Sequence, residues 1–162
     1  MRVQTATLTH LRSALRFLRI SAVASVILAG QGHFSRSGLT HPDEISGLAR
    51  LRSDADGVIA LFTNHITHPT SRLLDHVDFT TTPLFNHLEK IAGVVIDRGT
   101  RTITAVAASP WLAQRFGLAP HAPLLYLEQV TYEAAGRPVE CSDIWVNPRR
   151  MHITADVIRA RR

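Results

Sequence analysis

A chain of 162 residues with 45% hydrophobic and 19% charged side chains has the length and balance of one ordinary folded domain, which excludes global disorder. The net charge of +5 invites a nucleic-acid reading, but Arg2, Arg12, Arg16 and Arg19 crowd one end and Arg149, Arg150, Arg159, Arg161 and Arg162 the other, with a near-neutral middle. Cys141 is the single cysteine, which excludes an intrachain disulfide and agrees with a reducing, cytoplasmic setting.

In chain order, residues 1–38 read as a poorly defined N-terminal arm and residues 39–162 as the folded domain. Within the arm, arginines precede the apolar run 20–29, the outline of a secretory signal. That run is too short to span a bilayer and no clear small-residue cleavage site follows it, so a helix packed on the domain, or poorly ordered sequence at a misassigned start, is the plainer expectation. Residues 42–49 read as a further helix, followed by Arg50 and Arg52, an Asp54–Gly57 turn, and a strand over 58–66. Thr81 and Thr82 precede Pro83, and Leu84, Phe85, Leu88 and Ile91 then recur at helical spacing until Gly93. Residues 94–97 and 102–107 read as a hairpin turning at Arg98 and Gly99.

Ser109 and Pro110 open a second helix whose apolar side is Trp111, Leu112, Ala113 and Phe116, with Gly117 as its stop. Residues 124–132 alternate as a half-buried strand, 134–137 are turn chemistry, and 139–146 return. A last strand is expected around 152–157. Strand runs punctuated by short helices indicate an α+β fold with a mainly antiparallel sheet of about six strands. An internal echo supports this: Asp54 to Gly57 and Glu133 to Gly136 are matching turns, each preceded by a helical stretch and followed by a strand. A helix–strand–turn–strand unit used twice predicts helices on one face of the sheet. The first copy reads as abridged, lacking about ten residues between Ala49 and Arg50 on the periodicity of the second.

The run at residues 123–142 (PLLYLEQVTYEAAGRPVECS) resembles the C-terminal signature of the UTRA domain, the effector-binding domain of HutC-type GntR-family transcription regulators. Upstream pieces follow in the family's order: Ala55 to Gly57, Leu84-Phe85 with Leu88-Glu89, Gly93, Thr102 to Ala105, and Ala113 to Leu118. The resemblance implies a chorismate-lyase-like fold, a homodimer or a partner regulator chain, no cofactor, and a small anionic effector: a sugar phosphate, a carboxylate or a fatty acid. Family members normally carry a winged helix-turn-helix ahead of this domain. Residues 1–38 resemble none, so autonomous DNA binding is not expected, and no membrane association is either.

The resemblance also implies that Arg50 and Arg52 hold the anion. Their i, i+2 spacing puts both guanidinium groups on one face of a strand, where two forks can grip a phosphate or carboxylate. The competing reading of the pair is two solvated arginines at the end of a helix. The family's sugar-contacting carboxylate falls near Phe62 or Thr63, neither of which is acidic. Its helix-start serine and tyrosine fall at Pro83 and Phe85, leaving Thr81 or Thr82 as a substitute hydroxyl or merely a cap. Glu128, Tyr132, Glu140 and Ser142 lie on the second hairpin, and their alternation leaves structural and pocket-facing roles open. The effector-binding set is therefore Arg50, Arg52, Thr63, Thr82, Phe85, Tyr132, Glu140 and Ser142. His65 and His68 are spaced like some metal-ligating pairs, but on a strand that spacing puts them on opposite faces, so no metal is expected. Catalysis is not expected; a chorismate-lyase-like enzyme and a non-functional truncated remnant are the alternatives.

Overall fold

Successive side chains of a strand point to opposite faces, and the long strands of this chain thereby build a sheet with two differently used faces. In the computed structural model, residues 19–26, 45–67, 77–91 and 93–154 are described. Six strands, β1 (Arg19–Val26), β2 (Ile45–Asp54), β3 (Gly57–Thr67), β4 (Ile96–Ala107), β5 (Pro123–Glu133) and β6 (Pro138–Val146), form one antiparallel sheet in the order β1-β2-β3-β6-β5-β4. Two short helices accompany it among the described residues: α1 (Leu84–Lys90) and α2 (Pro110–Phe116). The order is symmetric about the β3–β6 pair, with the Asp54–Gly57 and Glu133–Gly136 turns each joining two neighbouring strands.

Several expectations are corrected. The stretch before the first turn is not helix: residues 45–54 form β2 without a break between Ala49 and Arg50. The first repeat is thus not abridged, because the strand it needs occupies the stretch whose local pattern suggests helix. The apolar run expected to be helical supplies β1, whose backbone pairs with β2 from Arg19↔Ser53 to Val26↔Gly47. Residues 94–107 hold no hairpin. Gly99 does not take a positive φ, and β4 passes through it as one twelve-residue strand. Residues 152–154 are not strand, and the rest of that expected strand lies outside the described residues.

The turns and caps of the second half form as their residues dictate. Ser109 Oγ accepts from the Leu112 N–H at 3.2 Å, Pro110 fills the first turn, and Gly117 ends α2 at φ 63°. At α1 the cap is Pro83 and no side chain caps the helix, so neither Thr81 nor Thr82 plays the capping role. The two threonines instead fold back on Asp78, whose backbone carbonyl accepts from both N–H groups.

Residues directly opposed across an antiparallel pair share a face. Leu48 and Ile66 therefore lie on the same face as Arg50 and Phe62, and they form a core cluster with Phe79, Leu84, Leu88 and Val94, placing α1 on that face. Leu61, Leu51 and Trp145 lie on the other face and pack with Leu112, Ala113 and Phe116 of α2. The helices sit on opposite faces, not on one. At the far end of the α1 face, Met151 and Ile153 pack onto Ile59, Ala60, Phe62, Leu127, Ile144 and Val146.

Candidate functional site

Between those two apolar clusters the α1 face carries a polar band. Asn64, Ser142, Gln129 and Arg101 are successive cross-strand partners on β3, β6, β5 and β4. Arg50 joins the row from β2 by donating from Nη2 to Asn64 Oδ1 at 2.6 Å. Glu140 and Thr131, also paired across β5 and β6, lie one row toward α1.

Two relays converge on the Glu140 carboxylate, which is 0% exposed. On one side Asn64 accepts from Arg50 and donates from Nδ2 to Glu140 Oε1 at 2.7 Å. On the other side Gln129 Oε1 accepts from Arg101, through Nε at 3.1 Å and also Nη2. Gln129 Nε2 then donates to Thr131 Oγ1 at 3.2 Å and to Glu140 Oε2 at 3.5 Å, and Thr131 Oγ1 donates to the same oxygen at 2.9 Å. Each neutral amide thus accepts from an arginine and donates to the acid. Leaving such buried groups unmet would cost about 1–3 kcal/mol each, which is why the band is so heavily cross-linked.

The arginines are held in surroundings that disfavour their charge. Arg50, 5% exposed, has its pKa pulled down to about 10, by burial first and then by Arg52, with Glu140 opposing. Burial lowers Arg52, and it lowers Arg101 with Glu140 opposing. Arg50 and Arg52 bracket one ring: their guanidinium carbons lie 5.5 Å and 5.2 Å from the Phe62 centroid. Two buried polar atoms of the band, Arg50 Nε and Ser142 Oγ, have no hydrogen-bond partner among the described residues.

Six of the eight expected residues stand on this face or beside it. Arg50, Arg52, Glu140 and Ser142 line the sheet, Phe85 packs against the α1 cluster above it, and half-buried Thr82 precedes α1. Thr63 does not, and Tyr132 makes none of the hydrogen bonds of the band. Thr63 lies between Phe62 and Asn64 and projects to the other face, opposite Asp143. Tyr132 stands at a β-bulge, opposite Arg98 on β4 and Pro138 on β6, with the Arg98 guanidinium 3.8 Å over its ring. Asn64, Gln129, Thr131 and Arg101 are members of the band that sequence reasoning misses. A signal for three of them exists: Leu125, Leu127, Gln129, Thr131 and Ala60, Phe62, Asn64, Ile66 are period-2 series in which polar residues occupy inward positions.

Among the described residues, no group of three or more His, Cys, Asp and Glu side chains is arranged for a metal, and no helix is long and apolar enough to cross a membrane. His65 is buried on the α2 face; His68 lies outside the described residues.

The six-stranded antiparallel sheet, with one short helix on each face among the described residues, has the chorismate-lyase-like fold. The UTRA domain model matches residues 24–152, and the chain belongs to that family, a domain of GntR-family transcription regulators. It is 26% identical over 103 residues to the HTH-type transcriptional repressor NagR of Bacillus subtilis (strain 168), a match covering 64% of this chain. The chain spans only 42% of that relative's length. Among solved structures, PhnF from Mycobacterium smegmatis has the same fold with a TM-score of 0.76 at 17% identity, covering 98% of this chain and 70% of that one. A GntR-family transcriptional regulator from Enterococcus faecalis V583 matches with a TM-score of 0.72 at 21% identity, covering 86% and 99%.

Proposed function

We propose that the chain is the sensor part of a GntR-family regulator, taking a small anionic metabolite onto the Arg50–Arg52 face to control transcription. The observation that carries this reading is the state of Arg50: buried, depressed to about 10, and joined to an amide where a structural arginine would have a carboxylate. Folding puts a cation out of water with Glu140 only at second remove, and an incoming anion supplies the missing counter-charge. Arg52 beside it provides the second fork for a phosphate or carboxylate. Phe62 beneath both and Phe85 from α1 favour a flat or partly apolar anion over a sugar phosphate.

Signalling then follows from differential binding: the effector favours one arrangement of the domain, and a homodimer or a partner regulator chain carries that preference to DNA, in the cytoplasm. A chorismate-lyase-like enzyme is less well supported, because both Glu140 oxygens already accept hydrogen bonds within the fold and a catalytic acid needs a free one. The test is a thermal-shift screen of phosphosugars, urocanate-like acids and fatty acids on the wild type and Arg50→Met. An effector at a hundredfold its Kd stabilises the fold by about 2.7 kcal/mol. A hit that vanishes in the variant supports the proposal; no hit in any class removes it.

A further inference from the structure

We infer that the site is two-ended: Arg101 on β4 is a second cationic anchor for an acidic group, and the effector is an elongated molecule acidic at both ends with a polar acceptor between them. This rests on the sensor reading above and adds the class of ligand. Three observations carry it. First, the band is charged at both ends. Arg50 reaches inward onto Asn64 and Arg101 reaches inward onto Gln129, and both guanidinium groups lean toward a single carboxylate, Glu140. Each arginine meets an amide directly and the acid only through it, so two separated cations share one buried negative charge.

Second, the register sets the span. Asn64, Ser142 and Gln129 are consecutive partners across β3, β6 and β5, so the amides that receive the two arginines are two strand spacings apart, roughly 10 Å. Third, Ser142 stands midway between them, buried and with its Oγ unpartnered among the described residues. A buried hydroxyl without a partner is costly unless something outside the sheet completes it. Its position suits the middle of a ligand whose ends lie on Arg50 and Arg101. Glu140 is a positioning residue in this scheme. Its oxygens are taken by Asn64, Thr131 and Gln129, and it aims both arginines through those amides.

The experiment compares diacids with monoacids of equal length on the full chain by calorimetry: succinate, adipate and suberate against butyrate, hexanoate and octanoate, with inorganic phosphate as a minimal anion. Suberate is expected to bind best, about tenfold or more tighter than octanoate, as one added charge-assisted contact implies. Arg101→Met is expected to bring suberate down to the octanoate level, and Arg101→Lys to restore part of the difference. Equal affinity for suberate and octanoate in the wild type overturns the two-ended site while leaving the sensor reading intact, provided octanoate or phosphate still binds. Binding by none of these anions counts against both. Should Arg101→Met not fold, the wild-type comparison alone decides.

Discussion

Asn64 donates its amide hydrogen to Glu140 at 2.7 Å, joining residues 76 positions apart across the two central strands of the sheet. The contact is a point at which the β1–β3 and β4–β6 halves of the sheet share a buried polar group. Because Asn64 also accepts from Arg50, the aim of the guanidinium proposed to bind the anion depends on an acid from the other half.

Removing that acid is therefore expected to damage the fold. Glu140→Ala leaves the donors of Asn64, Thr131 and Gln129 without an acceptor in a fully buried position and should lower the unfolding free energy by about 3 kcal/mol or more. Glu140→Gln keeps the volume and one acceptor and should cost less. Urea denaturation with an unchanged m-value checks both.

Arg50 should behave in the opposite sense. Burial pulls its pKa down to about 10, so the folded state disfavours the charged form. The penalty is fully present below about pH 10 and is relieved only as pH rises beyond that value. Arg50→Met removes it at the loss of one hydrogen bond and one ring contact. The melting temperature at neutral pH should be unchanged or raised, while anion-dependent stabilisation disappears. A large loss of stability would mark Arg50 as structural.

The clasp between Arg150 and the first turn should show in acid. Arg150 donates to Asp54 and, at 2.9 Å, to the Asp56 carbonyl oxygen. The Arg150 bond, followed by the Asp56 N–H, holds the Asp54 carboxyl below its ordinary value. A depressed carboxyl contributes stability above the ordinary aspartate pKa, about 3.9, and loses it as pH falls through the lower folded value. The melting-temperature gap between wild type and Arg150→Ala should therefore be steady above about pH 5 and close on further acidification. Added salt should narrow it, since the pair lies at the surface.

The ends of α2 offer a local test. Ser109→Ala removes the hydroxyl that caps Leu112, and Gly117→Ala forces a Cβ into a left-handed residue at φ 63°. Each should cost about 1 kcal/mol, measured by thermal or urea unfolding. The helix anchors the Leu61–Trp145 cluster, so the loss should appear in global stability.

What the amino-acid sequence determined by itself is the part written in short-range chemistry. Ser109-Pro110 with Gly117, the Glu133–Gly136 turn with Gly136 at φ 81°, and the alternation of β5 are each set by neighbours within a few residues. The same local logic fails at residues 45–54, where Leu48, Arg50 and Arg52 satisfy a helix about as well as a strand until β3 and β1 pair on either side. It fails too at Gly99, which turns a chain in isolation but is carried straight by its pairing with β5 along the length of β4. Only the tertiary structure decided the composition of the polar band. Cross-strand register, not spacing along the chain, puts Arg50 beside Asn64, Asn64 beside Glu140, and Gln129 between Glu140 and Arg101. A slip of one residue would turn each strand's set to the other face, as Thr63 shows by standing one position off it.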